Sequence, residues 1–165
     1  MKNNIRNFVI VAVLLLNVSC DQITKEVARS NLEYGENISV ISGFITLIKV
    51  ENTGAFLSLG NDLPDILRII LLKILPALFL TGMLVYILRK SNLQLPIAIA
   101  FAFIIGGGIG NLYDRILYGS VTDFLHLDFQ ISQTGIFNLA DVSIMIGAFW
   151  LMAVSLHSKF SLKKL

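Results

Sequence analysis

The sequence predicts a mainly α membrane protein: four transmembrane helices and a small extracytoplasmic β segment, in one integral membrane domain over residues 1–165. Hydrophobic residues make up 55% of the chain and charged residues only 15%. A soluble domain of this size would expose far too much apolar surface. In addition, four stretches approach the roughly 20 apolar residues that a helix needs to cross the hydrocarbon. Lipid is therefore the expected solvent for much of the chain.

The four spans are predicted at about residues 7–28, 66–88, 91–113 and 140–158. The third is wholly uncharged, and the second contains Arg68 and Lys73 toward one end. The first is less simple, because Asn7 to Cys20 gives only 14 uncharged residues. A spanning helix must therefore continue through Asp21 and Lys25, which places both charges within the outer margin of the membrane.

Charge asymmetry predicts the orientation. Basic residues flank the spans on one side, at Lys2, Arg6, Arg89, Lys90, Lys159, Lys163 and Lys164. All 11 acidic residues, from Asp21 to Asp141, fall on the opposite side or at its edge. By the positive-inside rule, both termini are cytoplasmic and the acids face outward.

The outer segment, about residues 36–62, contains an apolar, β-branched stretch from Ile38 to Val50 that is interrupted by Ser42-Gly43. This pattern predicts one or two short strands and a turn. In the third span, Gly106 and Gly110 form a small-xxx-small pair that lets a neighbouring helix approach closely.

Three acids lie where the third and fourth spans reach the outer face: Asp114, Asp123 in the connecting loop, and Asp141 at the start of the last helix. Ionisable groups at membrane depth are costly and usually functional. Two adjacent carboxylates share a proton, which places a general acid beside a general base that activates water. Asp123 and Asp141 are 18 residues apart, so the loop permits contact.

Each acid also has a purely structural interpretation. Asn138 and Asp141 have the spacing of a capping box at a helix N-terminus. Asp114 fits a snorkelling ion pair with Arg115, which we prefer for that residue. Asp21 and Lys25, at i and i+4, predict a helical ion pair. Asp123 is harder to explain structurally, because apolar residues flank Thr122-Asp123 on both sides. A dyad of Asp114 with Asp141 remains open.

Other functional classes fit poorly. The basic residues are dispersed, which argues against nucleic acid binding. His126 and His157 lack the spacing of a zinc protease. Ser161 and Lys164 have a Ser-x-x-Lys spacing but lie in a basic tail, where the lysine is solvated.

Five sequence blocks, in order along the chain, resemble those of the bacterial lipoprotein signal peptidase (signal peptidase II) family. They are Asp21-Gln22-Ile23-Thr24-Lys25, Asn52-Thr53-Gly54-Ala55, Gly107-Gly108-Ile109-Gly110-Asn111-Leu112-Tyr113-Asp114-Arg115, Val121-Thr122-Asp123-Phe124 and Phe137-Asn138-Leu139-Ala140-Asp141. Each block alone is a weak signal. Five in order, each at the outer end of a span or in an outer loop, make a specific one.

The resemblance implies an aspartic endopeptidase of the bacterial cytoplasmic (inner) membrane, with its active site at the extracytoplasmic face. It would remove the signal peptide from diacylglyceryl-modified prolipoproteins, cutting before the lipidated cysteine. By this resemblance, Asp123 and Asp141 are the catalytic dyad, and no metal or cofactor is implied. The residues implied to bind substrate are Asn52, Gly54, Asn111, Arg115 and Asn138, and those implied to support the site are Asp21, Lys25, Asp114 and Ala140.

Two positions depart from the family pattern. Phe56 follows Ala55 where a second alanine is common, and Thr122 precedes Asp123 where an apolar residue is expected. Both put the shape of the pocket in question. A hydrogen bond from Thr122 near the dyad would alter the pH profile relative to Thr122→Val.

Three alternatives stay open. A small transporter or proton relay also uses acids at span ends, although transport residues tend to lie near the midplane. Leu14 to Cys20 resembles a lipoprotein signal sequence, against which stand the three later spans. A family member without catalysis would only bind lipidated peptides. The expected partners are prolipoproteins and membrane lipids, and we expect a monomer.

Overall fold

The computed structural model describes residues 3–41, 43–55, 60 and 63–162. The helices are α1 (Asn3–Asn31), α2 (Asp65–Arg89), α3 (Leu95–Leu117) and α4 (Leu139–Leu162), and the strands are β1 (Asn37–Ile41), β2 (Ile45–Asn52) and β3 (Val121–Leu127). All four helices are long and apolar enough to cross a membrane. The predicted fold class, a mainly helical membrane protein with a small β segment, is therefore confirmed.

Helix α1 is continuous through its charged residues and has 29 residues. At 1.5 Å per residue it is about 43 Å long, which exceeds the roughly 30 Å of hydrocarbon. Its last turns therefore reach the small sheet, where Ala28 and Leu32 pack against Phe124 in an apolar cluster. This contact fixes the sheet on one end of the helix bundle.

Helix α2 contains a π-helical turn at Ile70–Ile74. Pro76 follows it directly and has no N–H to donate to the carbonyl of Leu72, with which its ring would clash in a straight α-helix. The wider π turn occurs where that carbonyl needs room. The turn changes which side chains of α2 share a face.

Helix α3 lies between α1 and α4 and also packs against α2. A Cβ atom on Gly106 would lie 2.8 Å from the Cβ of Asn17, and one on Gly110 would collide with the carboxylate of Asp21. The glycine pair therefore allows α1 to approach closely, as predicted. The helix begins at Leu95 rather than at residue 91, because residues 91–94 form a turn and Pro96 occupies the first helical turn, where its missing N–H costs nothing.

The sheet has the order β1-β2-β3, with both pairs antiparallel. The outer segment, predicted to form one or two short strands and a turn, forms two strands, β1 and β2, which pair with each other. The assignment of Asp123 to a loop is wrong, because Asp123 lies on β3, opposite Val50 of β2. Val121 and Phe124 have the side chains that favour a strand, but the strand depends on a partner about 70 residues earlier in the chain.

Candidate active site

Asn138 and Asp141 begin helix α4 with reciprocal hydrogen bonds. The backbone N–H of Asp141 donates to Oδ1 of Asn138 at 3.0 Å, and the backbone N–H of Asn138 donates to Oδ2 of Asp141 at 3.3 Å. This is the predicted capping box, with aspartate at its third position. It holds the Asp141 carboxylate at the positive end of the helix dipole, where a negative charge is favoured.

Asp123 is held by two amides. Its Oδ1 accepts from Nδ2 of Asn138 at 2.6 Å, and its Oδ2 accepts from Nδ2 of Asn52 at 3.1 Å. Asn52 reaches it because both side chains lie on one face of the sheet. Asn138 therefore contacts both carboxylates and brings Asp123 and Asp141 together.

Burial raises the pKa of the Asp123 carboxyl from its usual 3.8 to about 6, and the charge of Asp141 adds to the rise. Hydrogen bonds from Asn52 and Asn138 and the positive charge of Lys25 oppose it. Only 5% of Asp123 is exposed. A carboxyl with this pKa exchanges a proton near neutral pH, as a general acid or base requires.

Asn111 connects the dyad to a buried lysine. Its Oδ1 accepts from Nζ of Lys25 at 2.9 Å and from Nδ2 of Asn138 at 3.2 Å. Since an ammonium only donates, the oxygen of Asn111 must face Lys25 and its Nδ2 must face away. That Nδ2 donates to Oδ1 of Asp141 at 2.8 Å, so Lys25 fixes the orientation of an amide that positions Asp141.

Asp114 belongs to a buried ion-pair network. Lys25 lies 2.9 Å from Asp21 and 3.0 Å from Asp114, and Arg29 lies 3.0 Å from Asp114. The predicted Asp21–Lys25 pair is present. The proposed ion pair of Asp114 with Arg115 is wrong, because adjacent helical residues point about 100° apart. Arg115 instead donates to the carbonyl of Gly54 at 2.9 Å.

The same network bears on the alternative dyad of Asp114 with Asp141. The Asp114 side chain is fully buried. It is connected to Asp141 through a chain of contacts, first with Lys25 and then with Asn111. It does not line the cavity that contains Asp123 and Asp141. This geometry favours a supporting position for Asp114.

Ala140 supports the site through its backbone. Its N–H donates to Oδ1 of Asp21 at 2.9 Å, and its carbonyl lies against Gly107 of α3. Ala140 is fully buried where α4 packs against α3. A larger side chain would separate α4 from α3, and with it Asp141 from Asn111.

Asp123 and Asp141 open onto a cavity of about 440 Å³. Its polar end contains, besides the two acids, Asn52, Asn111 and Arg115. Its remaining wall is mostly apolar, formed by Leu71, Leu72, Pro76, Phe79 and Leu80 of α2, Ile136, and Ile144 and Met145 of α4. This arrangement suits a peptide bond at the polar end with an acyl chain along the wall.

Two residues predicted to bind substrate lie elsewhere. Asn138 is fully buried behind the carboxylates and does not line the cavity. Gly54 also lies outside the lining; it accepts from Arg115 and donates its N–H to Oδ1 of Asn52 at 3.0 Å. Both are placed to position other side chains.

Thr122 does not contact the dyad as expected. Successive strand residues face opposite sides, so its side chain points away from that of Asp123. Its hydroxyl accepts from Nε of Arg29 at 2.9 Å and donates to Glu51 at 2.8 Å. Arg29 and Glu51 are not among the residues predicted from the sequence, although Arg29 follows Asp21 and Lys25 at i+4 spacing on one helix face. Phe56 lies outside the described residues, as do the side chains of Ser161, Lys164 and His157.

The fold and the site define a multi-pass membrane protein with two aspartates at the polar end of an otherwise apolar cavity. The family model for signal peptidase (SPase) II matches residues 11–157. The chain therefore belongs to the signal peptidase II family, whose members are peptidases. Cys20, the cleavage point in the signal-sequence alternative, lies within this match and inside continuous helix α1.

Relatives named lipoprotein signal peptidase match most of the chain. The protein of Pelodictyon phaeoclathratiforme is 35% identical over 155 residues, covering 86% of each chain. That of Chlorobium phaeobacteroides is 38% identical, covering 81% of this chain and 86% of its own. That of Aquifex aeolicus is 33% identical, covering 94% and 87%. None of these relatives supports the transporter alternative.

Two solved structures, each titled as a bacterial membrane enzyme, share the fold. One has a TM-score of 0.80 at 24% identity and covers 92% of this chain and 89% of its own. The other has a TM-score of 0.79 at 24% identity and covers 90% and 92%. At this identity the likeness establishes the architecture alone.

Proposed function

We propose that this chain is an intramembrane aspartic endopeptidase that removes the signal peptide from diacylglyceryl-modified prolipoproteins, cleaving before the lipidated cysteine. The observation that supports it best is the joint contact of Asn138 with Asp123 and Asp141 at the polar end of an apolar cavity. The names of the relatives supply the substrate class.

In the proposed reaction, Asp123 begins protonated and Asp141 ionised. Burial favours the neutral form of Asp123, whereas the helix N-terminus favours the charge on Asp141. A water molecule between them gives its proton to Asp141 as its oxygen attacks the scissile carbonyl carbon, and Asp123 protonates the carbonyl oxygen. The resulting diol collapses when Asp141 protonates the leaving amine and Asp123 recovers its proton from a hydroxyl.

Arg115 is the polar cavity residue best placed to hold substrate. Nε of Arg115 is buried and has no hydrogen-bond partner among the described residues. A substrate carbonyl or the ester oxygen of the diacylglyceryl group would accept from it. The apolar side chains of α2 and α4 would then contact the acyl chains.

The cleavage site of a lipid-anchored substrate lies near the membrane interface, because its acyl chains hold it there. The charge asymmetry of the loops supports an extracytoplasmic position for the proposed dyad. We therefore place the protein in the bacterial inner membrane, with both termini cytoplasmic, and we propose that it acts as a monomer.

The test is cleavage of a diacylglyceryl-modified prolipoprotein by purified protein in detergent. Asp123→Asn and Asp141→Asn should fold normally and lose cleavage, because neither amide can exchange the required proton. Asp128→Asn is the matched control, since the side chain of Asp128 bonds, among the described residues, only within its own turn, to Gln130 and Gln133. An Asp114→Asn variant separates the two possible dyads.

Folded Asp123→Asn and Asp141→Asn variants that still cleave would refute the aspartic mechanism. Equal cleavage of the substrate without its diacylglyceryl group would refute the substrate class instead. If Asp114→Asn folds as stably as wild type and is inactive while Asp123→Asn is active, the dyad is Asp114 with Asp141.

A further inference from the structure

A second cavity, of about 330 Å³, lies beside the candidate active site. Three cations line it, Arg68 and Lys73 from α2 and Arg115 from α3, together with one carboxylate, Asp65. We call it the cationic cavity. Nothing in the proposed reaction uses Arg68 or Lys73, and the excess of positive charge at a membrane-spanning helix requires a physical account.

The π turn of α2 explains why two of these cations share a face. In an α-helix, residues five apart point about 140° away from each other, since five steps turn about 500°. The π turn has i→i+5 hydrogen bonds, so residues at that spacing lie nearly above one another. The turn at Ile70–Ile74 therefore brings Lys73 to the side of Arg68.

The donors in this cavity are incompletely satisfied. Arg68 pairs with Asp65, whose side chain is 85% exposed. Among the described residues, Lys73 has neither an ion pair nor a hydrogen bond. A lysine inside a membrane span that has no partner among the described residues is costly, so an anion in the cavity would lower the free energy of the folded state.

Depth and shape indicate which anion. Lys73 lies eight residues inside the start of α2, about 12 Å along the helix, and its flexible side chain reaches back toward the interface, where lipid phosphates lie. Ile69 and Leu72 add an apolar wall to the same cavity. We propose that the cationic cavity binds the phosphate of an anionic phospholipid, whose acyl chain lies along α2.

The net positive charge predicts a preference among headgroups. Phosphatidylglycerol has a net negative charge, whereas phosphatidylcholine adds a trimethylammonium group that the three cations repel. The bound phosphate would also hold Arg115, which lines the candidate active site from the other side. Lipid binding is thereby connected to the site without being required for the chemistry.

The test measures binding rather than cleavage, so its outcome is independent of the proposed function. Delipidated protein in neutral detergent is titrated with phosphatidylglycerol or with phosphatidylcholine of the same acyl chains. Bound lipid is counted by native mass spectrometry, and the thermal unfolding midpoint is followed. We expect phosphatidylglycerol to bind at least about tenfold more tightly, because its headgroup lacks the trimethylammonium charge that the cations repel.

Lys73→Gln and Arg68→Gln should each remove this preference. Lys73→Met is a second variant that folds readily, since it replaces an intramembrane charge by an apolar side chain. Lys90→Gln is the matched control, because Lys90 lies just beyond the opposite end of α2 and bonds Tyr86 there. Equal binding of the two lipids, or a preference that survives in Lys73→Gln and Lys73→Met, would overturn the proposal. Equal stabilisation by free glycerol 1-phosphate would also overturn the proposal, because that result would indicate a site for soluble anions.

Discussion

Asn138 donates a 2.6 Å hydrogen bond to Asp123 from a position where it also caps helix α4. One residue therefore has two separable tasks: its oxygen stabilises the helix start, and its nitrogen positions a carboxylate on a strand. The same oxygen binds the N–H of Asp141, so the cap and the dyad are one structure.

Asn138→Ser should separate these tasks. Serine keeps a capping oxygen and lacks the amide nitrogen, so stability should stay within about 1 kcal/mol of wild type while cleavage falls sharply. Asn138→Ala should lose both the helix cap and the hydrogen bond to Asp123, with a cost of about 1 kcal/mol or more in the free energy of unfolding. Unfolding in mixed detergent micelles and initial cleavage rates measure the two effects. Full activity in Asn138→Ser would show that the amide nitrogen is dispensable.

The raised pKa of Asp123 predicts how stability depends on pH. Because the folded state binds this proton more tightly than the unfolded state, the contribution of Asp123 to stability is fully present below about pH 4 and is lost as the pH rises through about 6. The decrease attributable to Asp123 is about 3 kcal/mol. Asp123→Asn should lack this component, so the difference between the two unfolding curves isolates it. Parallel curves from pH 4 to 7 would contradict the assignment.

Thr122→Val should reduce stability and leave the pH profile of cleavage unchanged. This replaces the expectation from sequence, because the hydroxyl contacts Arg29 and Glu51 on the face of β3 opposite Asp123. Losing both hydrogen bonds should cost about 1 kcal/mol or more. Thr122→Ser keeps the hydroxyl and is the control. A shifted profile in Thr122→Val alone would mean that the Arg29 network reaches the dyad.

What the sequence predicts here depends on how local the signal is. The spans follow from apolar runs, and the Asn138–Asp141 cap follows from two residues three positions apart. Both can therefore be predicted from the local sequence. Strand β3 cannot be predicted in this way, because it forms only by pairing with β2. The ion-pair partner of Asp114 cannot be predicted locally either. Arg115 is its neighbour in the sequence, but the helix turns the side chain of Asp114 toward Lys25 on α1.

The close approach of α3 and α4 gives a last prediction. A Cβ on Gly107 would collide with the carbonyl oxygen of Ala140, which is backbone and cannot move aside as a flexible side chain does. Gly107→Ala should therefore destabilise the fold by about 1–3 kcal/mol and reduce cleavage, because the displaced start of α4 contains Asp141. Gly82→Ala is the matched control, since nothing lies within 4 Å of a Cβ at that helical position. There the substitution should be neutral or stabilising by up to about 1 kcal/mol. The measurements are the thermal unfolding midpoints and the cleavage rates of the two variants. Equal midpoints and equal rates would show that this contact does not hold α4 in place.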